Sequence, residues 1–221
     1  MPTKPNAGGN FNWVAPVYDT LAFLVFGHKL QQAQVVFLDQ IPVGASVLLV
    51  GGGTGWLLEQ LLMHGTTKRI VYLETSSSMV ARASRRMIRK SLLGTVDFRV
   101  GDQTALLPGE SFDVIITPFV LDLFAETTLK SQIIPPLLNV LKPAGLWLVT
   151  DFVQPPTWWQ KVLLWVMIRF FRLTASIEAN RLVNWQQGLL EANLFLKERK
   201  AQVGGMVSAE VWIRQGEKNH S

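Results

Sequence analysis

The chain contains no cysteine among its 221 residues and only three histidines. The absence of cysteine excludes a disulfide framework and thiolate chemistry, and three scattered histidines argue against a metal site. No apolar run reaches the roughly 18 residues that a membrane-spanning helix needs. Residues 1–9 lack the apolar core of a signal peptide. We therefore expect a cytoplasmic protein without a metal centre.

Charged residues are also scarce, at 17% of the chain, whereas hydrophobic residues make up 48%. This composition provides enough apolar material for one large core. The length favours a single domain over residues 1–221, with a flexible lead-in at 1–10 and a flexible tail at 215–221. The net charge of +5 permits a loose attraction to anionic surfaces.

The stretch from Val47 to Trp56 combines an apolar run, a glycine-rich turn and the beginning of a helical pattern. This order predicts a buried parallel strand followed by a turn that exposes backbone N–H groups to a ligand. The dinucleotide fingerprint requires a third glycine where Trp56 or Leu58 stands, and no lysine follows as in a phosphate loop. The spacing therefore excludes both of those nucleotide motifs.

A second strand is predicted at Arg69–Leu73, and Glu74 follows it. Ligands of open parallel sheets gather at the carboxyl ends of the strands. An acid about 20 residues beyond a glycine turn can accept hydrogen bonds from a ribose diol. Capping of the next helix, which begins at Ser76 to Ser78, is the alternative role. The separation from the turn favours ribose binding.

The remaining pattern continues as alternating strands and helices. We predict a strand at Val96–Val100, a fourth strand from about Phe112, a helix at Ala125–Val140 and a fifth strand from Leu146. A helix at Asn184–Leu190 precedes two final strands, which are predicted near 194–200 and 207–214.

Five motifs, in this order along the chain, resemble those of class I S-adenosylmethionine-dependent methyltransferases. They are the Gly-x-Gly-x-Gly turn, Glu74, Gly101-Asp102, Phe112-Asp113-Val114 and Leu141-Lys142-Pro143-x-Gly145. The resemblance covers residues 11–214 and is nearest to the small-molecule, quinone-methylating branch. It implies an α/β fold, a Rossmann-like three-layer sandwich around a seven-stranded, mostly parallel sheet with an antiparallel last strand.

The same resemblance implies S-adenosylmethionine as cofactor, S-adenosylhomocysteine as product, and a small apolar or aromatic acceptor. In the family, the turn after the second strand packs beside adenine, the Asp102 position takes the adenine amino group, and the loop after the fourth strand borders the methyl group. A plain turn role is the alternative for Asp102. The expected cofactor-binding residues are Tyr18, Gly51, Gly52, Gly53, Gly55, Glu74, Thr75, Met79, Asp102, Gln103 and Thr117.

No catalytic residue follows directly from the sequence. Methyl transfer requires in-line positioning, and a base is needed only if the acceptor loses a proton during attack. The candidates are Tyr18, His28 and Asp122. Tyr18 lies in a predicted helical cap over residues 11–42, whose counterpart in the family folds over the cofactor. A buried tyrosine on an amphipathic helix is the alternative for Tyr18, and a structural role is the alternative for His28.

The segment 158–172 is dense in aromatic residues and has Lys161, Arg169 and Arg172 on one side of a predicted helix. Three roles fit such a helix: a lid over an apolar substrate, a homodimer interface, or a peripheral contact with a membrane. The family commonly shapes its acceptor pocket with this insertion, which favours a helical lid over residues 156–183.

Arg82, Arg85, Arg86 and Arg89 recur at helical spacing, which we interpret as a solvated outer face. No aromatic residues interleave with them, so we expect no nucleic-acid partner.

One residue departs from the family pattern. Leu49 stands where the family has an acid, and an apolar residue there also resembles the aminopropyltransferases, although the loop after the fourth strand offers only one carboxylate for a polyamine. A non-catalytic interaction protein that retains the fold is the other alternative.

Overall fold

The computed structural model describes residues 27–65, 67–92, 96–175 and 182–214, with the side chains of 167–175 left out. Its strands are β1 (Ala45–Val50), β2 (Thr67–Glu74), β3 (Val96–Val100), β4 (Phe112–Pro118), β5 (Leu141–Phe152), β6 (Leu194–Gln202) and β7 (Val207–Arg214). They form one sheet in the order β3-β2-β1-β4-β5-β7-β6. The strands from β3 to β5 pair in parallel, whereas β7 pairs antiparallel with β5 and with β6. The predicted sheet is confirmed.

Helices connect these strands as the sequence pattern indicates. They are α1 (Lys29–Val35), α2 (Trp56–His64), α3 (Ser77–Arg89), α4, α5 (Trp158–Ala175) and α6 (Trp185–Glu191), where α4 joins α-helical Glu126–Thr128, π-helical Leu129–Ile133 and α-helical Ile134–Val140. Ser76 caps α3 by accepting a hydrogen bond from Met79 N at 3.3 Å, and Asn184 caps α6. Both predicted helix starts are therefore confirmed. Part of the predicted cap over 11–42, including Tyr18, lies outside the described residues.

Two apolar cores flank the sheet because successive residues of a strand face opposite sides. On one side, Leu49 and Tyr72 pack against α2 and α3. On the other side, Leu48 and Val71 pack against α4 and α6. The three-layer sandwich follows from this alternation. Leu49, which replaces the family's acid, is fully buried in the first core.

Two details differ from the predicted elements. The Leu141–Gly145 stretch was expected to be a turn before the fifth strand, but it forms a bulge at the start of β5, where the register with β4 shifts and Ala144 has a φ of 57°. The predicted helix at Ala125–Val140 contains a π-helical stretch just before Pro135 and Pro136. Proline has no backbone N–H to donate to the preceding turn, which accounts for the altered hydrogen-bonding ladder there.

Candidate functional site

The glycine turn at the end of β1 is bare backbone enclosed by neighbouring elements. Gly51 has a φ of 70°, and a side chain there would collide with Val120, which follows β4. Gly55 has a φ of 83°, and its Cβ would lie 2.7 Å from the Cβ of Ala83 on α3. Only glycine meets both the positive φ and the close approach at these positions. The turn is therefore shaped to present backbone rather than side chains.

Glu74 ends β2 directly beside this turn. Its carboxylate accepts hydrogen bonds from Gly53 N at 3.2 Å, Ser76 N at 2.9 Å and the Thr75 hydroxyl at 3.3 Å. Burial raises the pKa of Glu74, and these hydrogen bonds oppose the rise. A carboxylate has about four lone-pair sites, so the group retains capacity to accept from a ligand. The structure thus fixes an oriented acid against the glycine turn.

Tyr72 holds the same turn from the other side, a contact that the sequence analysis missed. The side chain is fully buried, and its hydroxyl donates to Gly53 O at 2.5 Å. Burial, followed by the charge of Glu74, raises the pKa of Tyr72 far above its ordinary value. A tyrosine within the apolar run Ile70–Leu73 of β2 was the available signal, because a buried phenol usually has a hydrogen-bond partner.

The other predicted cofactor residues near the glycine turn and Glu74 differ in what they contact. Met79 is buried, and its sulfur lies 3.8 Å from the position that a Cβ on Gly53 would occupy. Gly101 N donates to Glu74 O at 3.0 Å, which joins the end of β3 to the end of β2. The exposed Asp102 accepts hydrogen bonds from Thr104 N at 2.9 Å and from the Thr104 hydroxyl at 2.6 Å. Its side chain therefore caps a short 3₁₀ turn, Gln103–Ala105.

Thr117 has a different environment from the other predicted residues. It is fully buried near the end of β4, and its hydroxyl accepts a hydrogen bond from Trp147 Nε1 at 3.0 Å. Because Trp147 belongs to the core on the α4 and α6 side, the Thr117 side chain already has a structural partner. A contact from Thr117 to a ligand would therefore come from its backbone.

Asp151, at the end of β5, organises the loop after β4 and was also missed. It is fully buried, and its Oδ2 accepts from Leu121 N at 2.8 Å, Val120 N at 3.2 Å and Asp122 N at 3.3 Å. Its Oδ1 accepts from Phe152 N at 2.8 Å. The strand-end position that singled out Glu74 was the available signal, since Asp151 occupies the equivalent place on β5. One carboxylate thereby holds the loop that covers Gly51.

Asp122, a predicted catalytic candidate, lies beside Asp151, because its backbone N–H donates to Asp151 Oδ2 at 3.3 Å. Burial raises the pKa of Asp122 to about 6. Burial, followed by the charge of Asp122, raises the pKa of Asp151 well above its ordinary range. Two neighbouring carboxyl groups in a poorly solvated place favour a shared proton over two negative charges. The Oδ1 atom of Asp122 is buried and has no hydrogen-bond partner among the described residues.

The residue between β4 and this loop is conformationally strained. Phe119 has a φ of 54°, a value uncommon for a bulky residue. Its N–H donates to Thr150 O at 2.7 Å, and its ring packs on Phe152 with centroids 5.4 Å apart. Such a conformation costs roughly 1–3 kcal/mol and persists only where the surroundings enforce it. The strain therefore marks the end of β4 as a constrained part of the site.

The other candidate residues lie apart from this arrangement. His28 is exposed at the start of α1, and its Nδ1 lies 2.9 Å from Gln31 Oε1. Tyr18 lies outside the described residues. Within the described ranges, no group of three or more histidines and acids is placed to hold a metal ion.

Over residues 158–166, where its side chains are described, helix α5 packs against the rest of the molecule through one side. Gln160 and Leu164 are buried, with 5% and 4% of their surface exposed, whereas Trp158, Trp159 and Trp165 are 76%, 52% and 61% exposed. The first two indoles therefore do not line an enclosed pocket in this structure. Over the described residues, no helix is long and apolar enough to cross a membrane.

Comparison with known proteins shows what this arrangement is similar to. Residues 47–145 match the family described as a methyltransferase domain, an interval that contains the glycine turn, Glu74 and Asp122. This match, which covers just under half of the chain, supports a class I S-adenosylmethionine-dependent methyltransferase. The chain is also similar to ubiquinone/menaquinone biosynthesis C-methyltransferases from Pseudomonas aeruginosa (strain LESB58) and Hydrogenovibrio crunogenus, with 32% identity to each over 149 and 148 residues. These alignments cover 66% and 65% of the chain and 57% of each relative, so the chain spans little more than half of their length.

Solved structures agree with this methyltransferase fold. The N-methyltransferase NodS from Bradyrhizobium japonicum, in complex with S-adenosylhomocysteine, superposes with a TM-score of 0.62 at 20% identity, covering 87% of this chain and 88% of that one. The protein bound to the Trm112 methyltransferase activator in a Haloferax volcanii complex gives a TM-score of 0.68 at 17% identity, covering 94% and 98%. At these identities the likeness establishes the fold.

Proposed function

We propose that this chain is a class I methyltransferase that transfers a methyl group from S-adenosylmethionine to a small apolar or aromatic acceptor. The observation that carries the proposal is the contact of the Glu74 carboxylate with the glycine turn at Gly53, 3.2 Å from its N–H. The contact places a carboxylate that can accept hydrogen bonds from ribose hydroxyls beside a bare backbone turn. Both lie at the carboxyl edge of a parallel sheet, where nucleotide-type ligands bind. The family match over residues 47–145 supports the same reading.

The described residues fit the cofactor. Side chains are excluded at Gly51 and Gly55, so the backbone of the turn can approach a ligand closely. We assign the ribose hydroxyls to Glu74 and the adenine to the buried Met79. Thr75, Asp102, Gln103 and the backbone of Thr117 complete the proposed set. When bound, the cofactor supplies an electrophilic sulfonium methyl group.

The chain itself supplies positioning. Holding two reacting groups in line can contribute about 7–11 kcal/mol to lowering the barrier. Asp151 fixes the loop after β4 through three backbone N–H groups, and that loop carries Val120 over Gly51. We assign to this loop the wall between the cofactor and the acceptor.

Proton handling falls to the Asp122–Asp151 pair. With a pKa of about 6, Asp122 is ionised in most molecules at neutral pH. An ionised carboxylate there can take a proton from a hydroxyl or ring carbon acceptor after small movements of the loop, since catalytic hydrogen bonds often tighten only when the substrate is bound. We therefore prefer Asp122 to His28, which is exposed on α1.

The acceptor class follows from the apolar surroundings of the same loop. Phe119, Val120 and Phe152 lie at the carboxyl ends of β4 and β5. Apolar and aromatic walls with a few polar groups are typical of sites for small apolar ligands. The names of the curated relatives, which refer to ubiquinone and menaquinone biosynthesis, agree with an aromatic or quinone-type ring.

A transfer assay tests this function. The protein is incubated with methyl-labelled S-adenosylmethionine and a panel of hydroquinones, catechols and naphthoquinols, and the labelled product and S-adenosylhomocysteine are quantified by mass spectrometry. We expect equimolar product and S-adenosylhomocysteine with at least one ring acceptor, and a large loss of turnover in Glu74→Ala. Binding of the cofactor without transfer to any member of the panel would contradict the proposed acceptor class.

A further inference from the structure

A cavity lined almost entirely by cations lies beside the glycine turn. It has a volume of about 620 Å³, and its lining residues are Thr54, Arg82, Arg85, Arg86, Arg89 and Lys90. We call it the basic groove. Thr54 belongs to the turn, and the five cations come from α3 and the residue that follows it. The proposed cofactor and acceptor sites use none of these side chains.

The basic groove holds most of the chain's excess charge. The whole chain has a net charge of +5. The groove has five cations, and the acid that forms ion pairs with them is Glu59, which leaves a local charge of +4. The rest of the chain is therefore close to neutral. A charge asymmetry confined to one cavity attracts anions to that cavity rather than to the surface at large.

Two of the cations are held in place and three are available. Arg86 Nε donates to Glu59, and Lys90 Nζ lies 3.4 Å from the same carboxylate. Glu59 is buried, and the hydrogen bond from Arg86 is the main reason why its pKa is lowered. Arg82, Arg85 and Arg89 are exposed and have no carboxylate partner among the residues that the structure describes. Arg85 Nε donates only to the backbone carbonyl of Ala81, at 3.1 Å. The groove therefore combines a fixed wall with three guanidinium groups whose charge is not balanced by a carboxylate among the described residues.

This arrangement costs helix stability. Arg82 with Arg86, and Arg85 with Arg89, are like-charge pairs at i and i+4, and each such pair destabilises a helix by about 0.2–0.5 kcal/mol. Glu59 compensates Arg86, whereas Arg82, Arg85 and Arg89 have no such partner among the described residues, and a local rule broken in this way commonly marks a functional site. A bound anion would supply the missing compensation.

The shape and lining define the ligand. A volume near 620 Å³ lies within the roughly 300–1,000 Å³ typical of small-molecule pockets. Arg82 and Lys90 are eight positions apart, which is about 12 Å along a helix, long enough for more than one phosphate. Among the described residues, no aromatic side chain lines the cavity, which disfavours stacking with the bases of a single strand. Arginine forks suit phosphate oxygens in particular.

We propose that the basic groove is a binding site for a small soluble anion with at least two phosphate groups. The site is separate from the cofactor cradle but adjoins it through Thr54. The proposal does not depend on methyl transfer, because it concerns binding in the absence of S-adenosylmethionine.

Titration calorimetry with inorganic tripolyphosphate, at low salt and without cofactor, tests the site. We expect one-to-one binding to the full chain that weakens as salt is added. The triple substitution Arg82→Gln, Arg85→Gln and Arg89→Gln should raise the dissociation constant about tenfold or more, because charge-assisted hydrogen bonds are lost. Removal of like-charge repulsion should leave the folded protein intact, which circular dichroism checks. The single variant Arg85→Glu should also raise the dissociation constant, by a smaller factor than the triple variant.

The matched control removes the same charge elsewhere. Lys29, Lys68 and Lys161 are exposed and do not line the groove. Their triple change to glutamine should leave the dissociation constant within about twofold of the wild-type value, because screened charges outside the groove contribute little. An equal loss in both triple variants would show a diffuse attraction and overturn the proposal. So would binding of phosphatidylglycerol vesicles or an oligonucleotide without any binding of tripolyphosphate.

Discussion

The carboxylate of Glu74 accepts a hydrogen bond from the backbone N–H of Gly53 at 3.2 Å. Tyr72, two residues earlier on the same strand, donates to the carbonyl of that glycine. Strand β2 therefore holds both polar groups of one glycine in the turn after β1. The geometry of the proposed cofactor cradle is thus a property of two neighbouring strands rather than of the turn alone.

Substitution of Glu74 by alanine should weaken binding of S-adenosylhomocysteine by about 1–3 kcal/mol, because hydrogen bonds to a buried carboxylate are lost. Titration calorimetry measures the change. Glu126→Ala is a suitable control, since Glu126 is an acid with an exposed side chain on α4. An affinity for Glu74→Ala equal to that of the wild type would refute the assignment of Glu74 to the ribose.

Tyr72→Phe removes one hydroxyl from the first core and leaves Gly53 O without its donor. A buried acceptor left unsatisfied costs about 1–3 kcal/mol, so we expect the free energy of unfolding in urea to fall by that amount. The affinity for S-adenosylhomocysteine should fall as well, because Gly53 loses one of its two hydrogen bonds with β2. A variant as stable as the wild type, with unchanged affinity, would show that this hydrogen bond does not shape the turn.

The Asp122–Asp151 pair should make stability depend on pH in a defined direction. The folded-state pKa of Asp122 is about 6, above the ordinary value of 3.8. The folded protein therefore binds more protons than the unfolded chain between about pH 4 and pH 6, and the free energy of unfolding falls as pH rises through this window. Asp122→Asn should flatten that fall and raise stability at pH 8 by about 1–3 kcal/mol.

Urea unfolding at pH 4, 6 and 8 measures this slope. The control is Asp39→Asn, which replaces an exposed acid in the segment between α1 and β1. This variant should keep the wild-type slope. If Asp122→Asn retains the full decrease between pH 4 and pH 6, the two carboxyl groups do not share a proton.

Much of this architecture was predictable, because the relevant signals are local. The apolar run before Gly51 and the acid at the end of β2 identify their elements without knowledge of distant residues. Tyr72 and Asp151 were missed because their partners, Gly53 O and the N–H groups of the loop after β4, lie 19 and about 30 residues away. Sequence spacing does not show which backbone groups a strand-end side chain will meet.

The same limit explains the side-chain environments of other predicted residues. Asp102 bonds to Thr104, two residues away, as a turn aspartate commonly does. The Thr117 hydroxyl meets Trp147, a contact set by the register between β4 and β5. Leu49 occupies the position where the family carries an acid. It is buried in the first core, so in this chain that position contributes to packing.

Helix α5 should tolerate changes on its outer side and not on its inner side. Trp158→Ser and Trp165→Ser should alter the free energy of unfolding by no more than about 0.5 kcal/mol, because both residues are more than half exposed. Leu164→Ala should cost about 2–5 kcal/mol, because Leu164 is buried. Urea unfolding compares the three variants, and a large loss in either tryptophan variant would show that the outer side is packed in solution.

Titration calorimetry of the wild-type protein with S-adenosylmethionine and S-adenosylhomocysteine tests the central claim most directly. The account predicts one-to-one binding of both compounds, with each displacing the other, in protein whose fold is verified by circular dichroism. Folded protein that binds neither compound would contradict the assignment of the glycine turn and Glu74 to this cofactor.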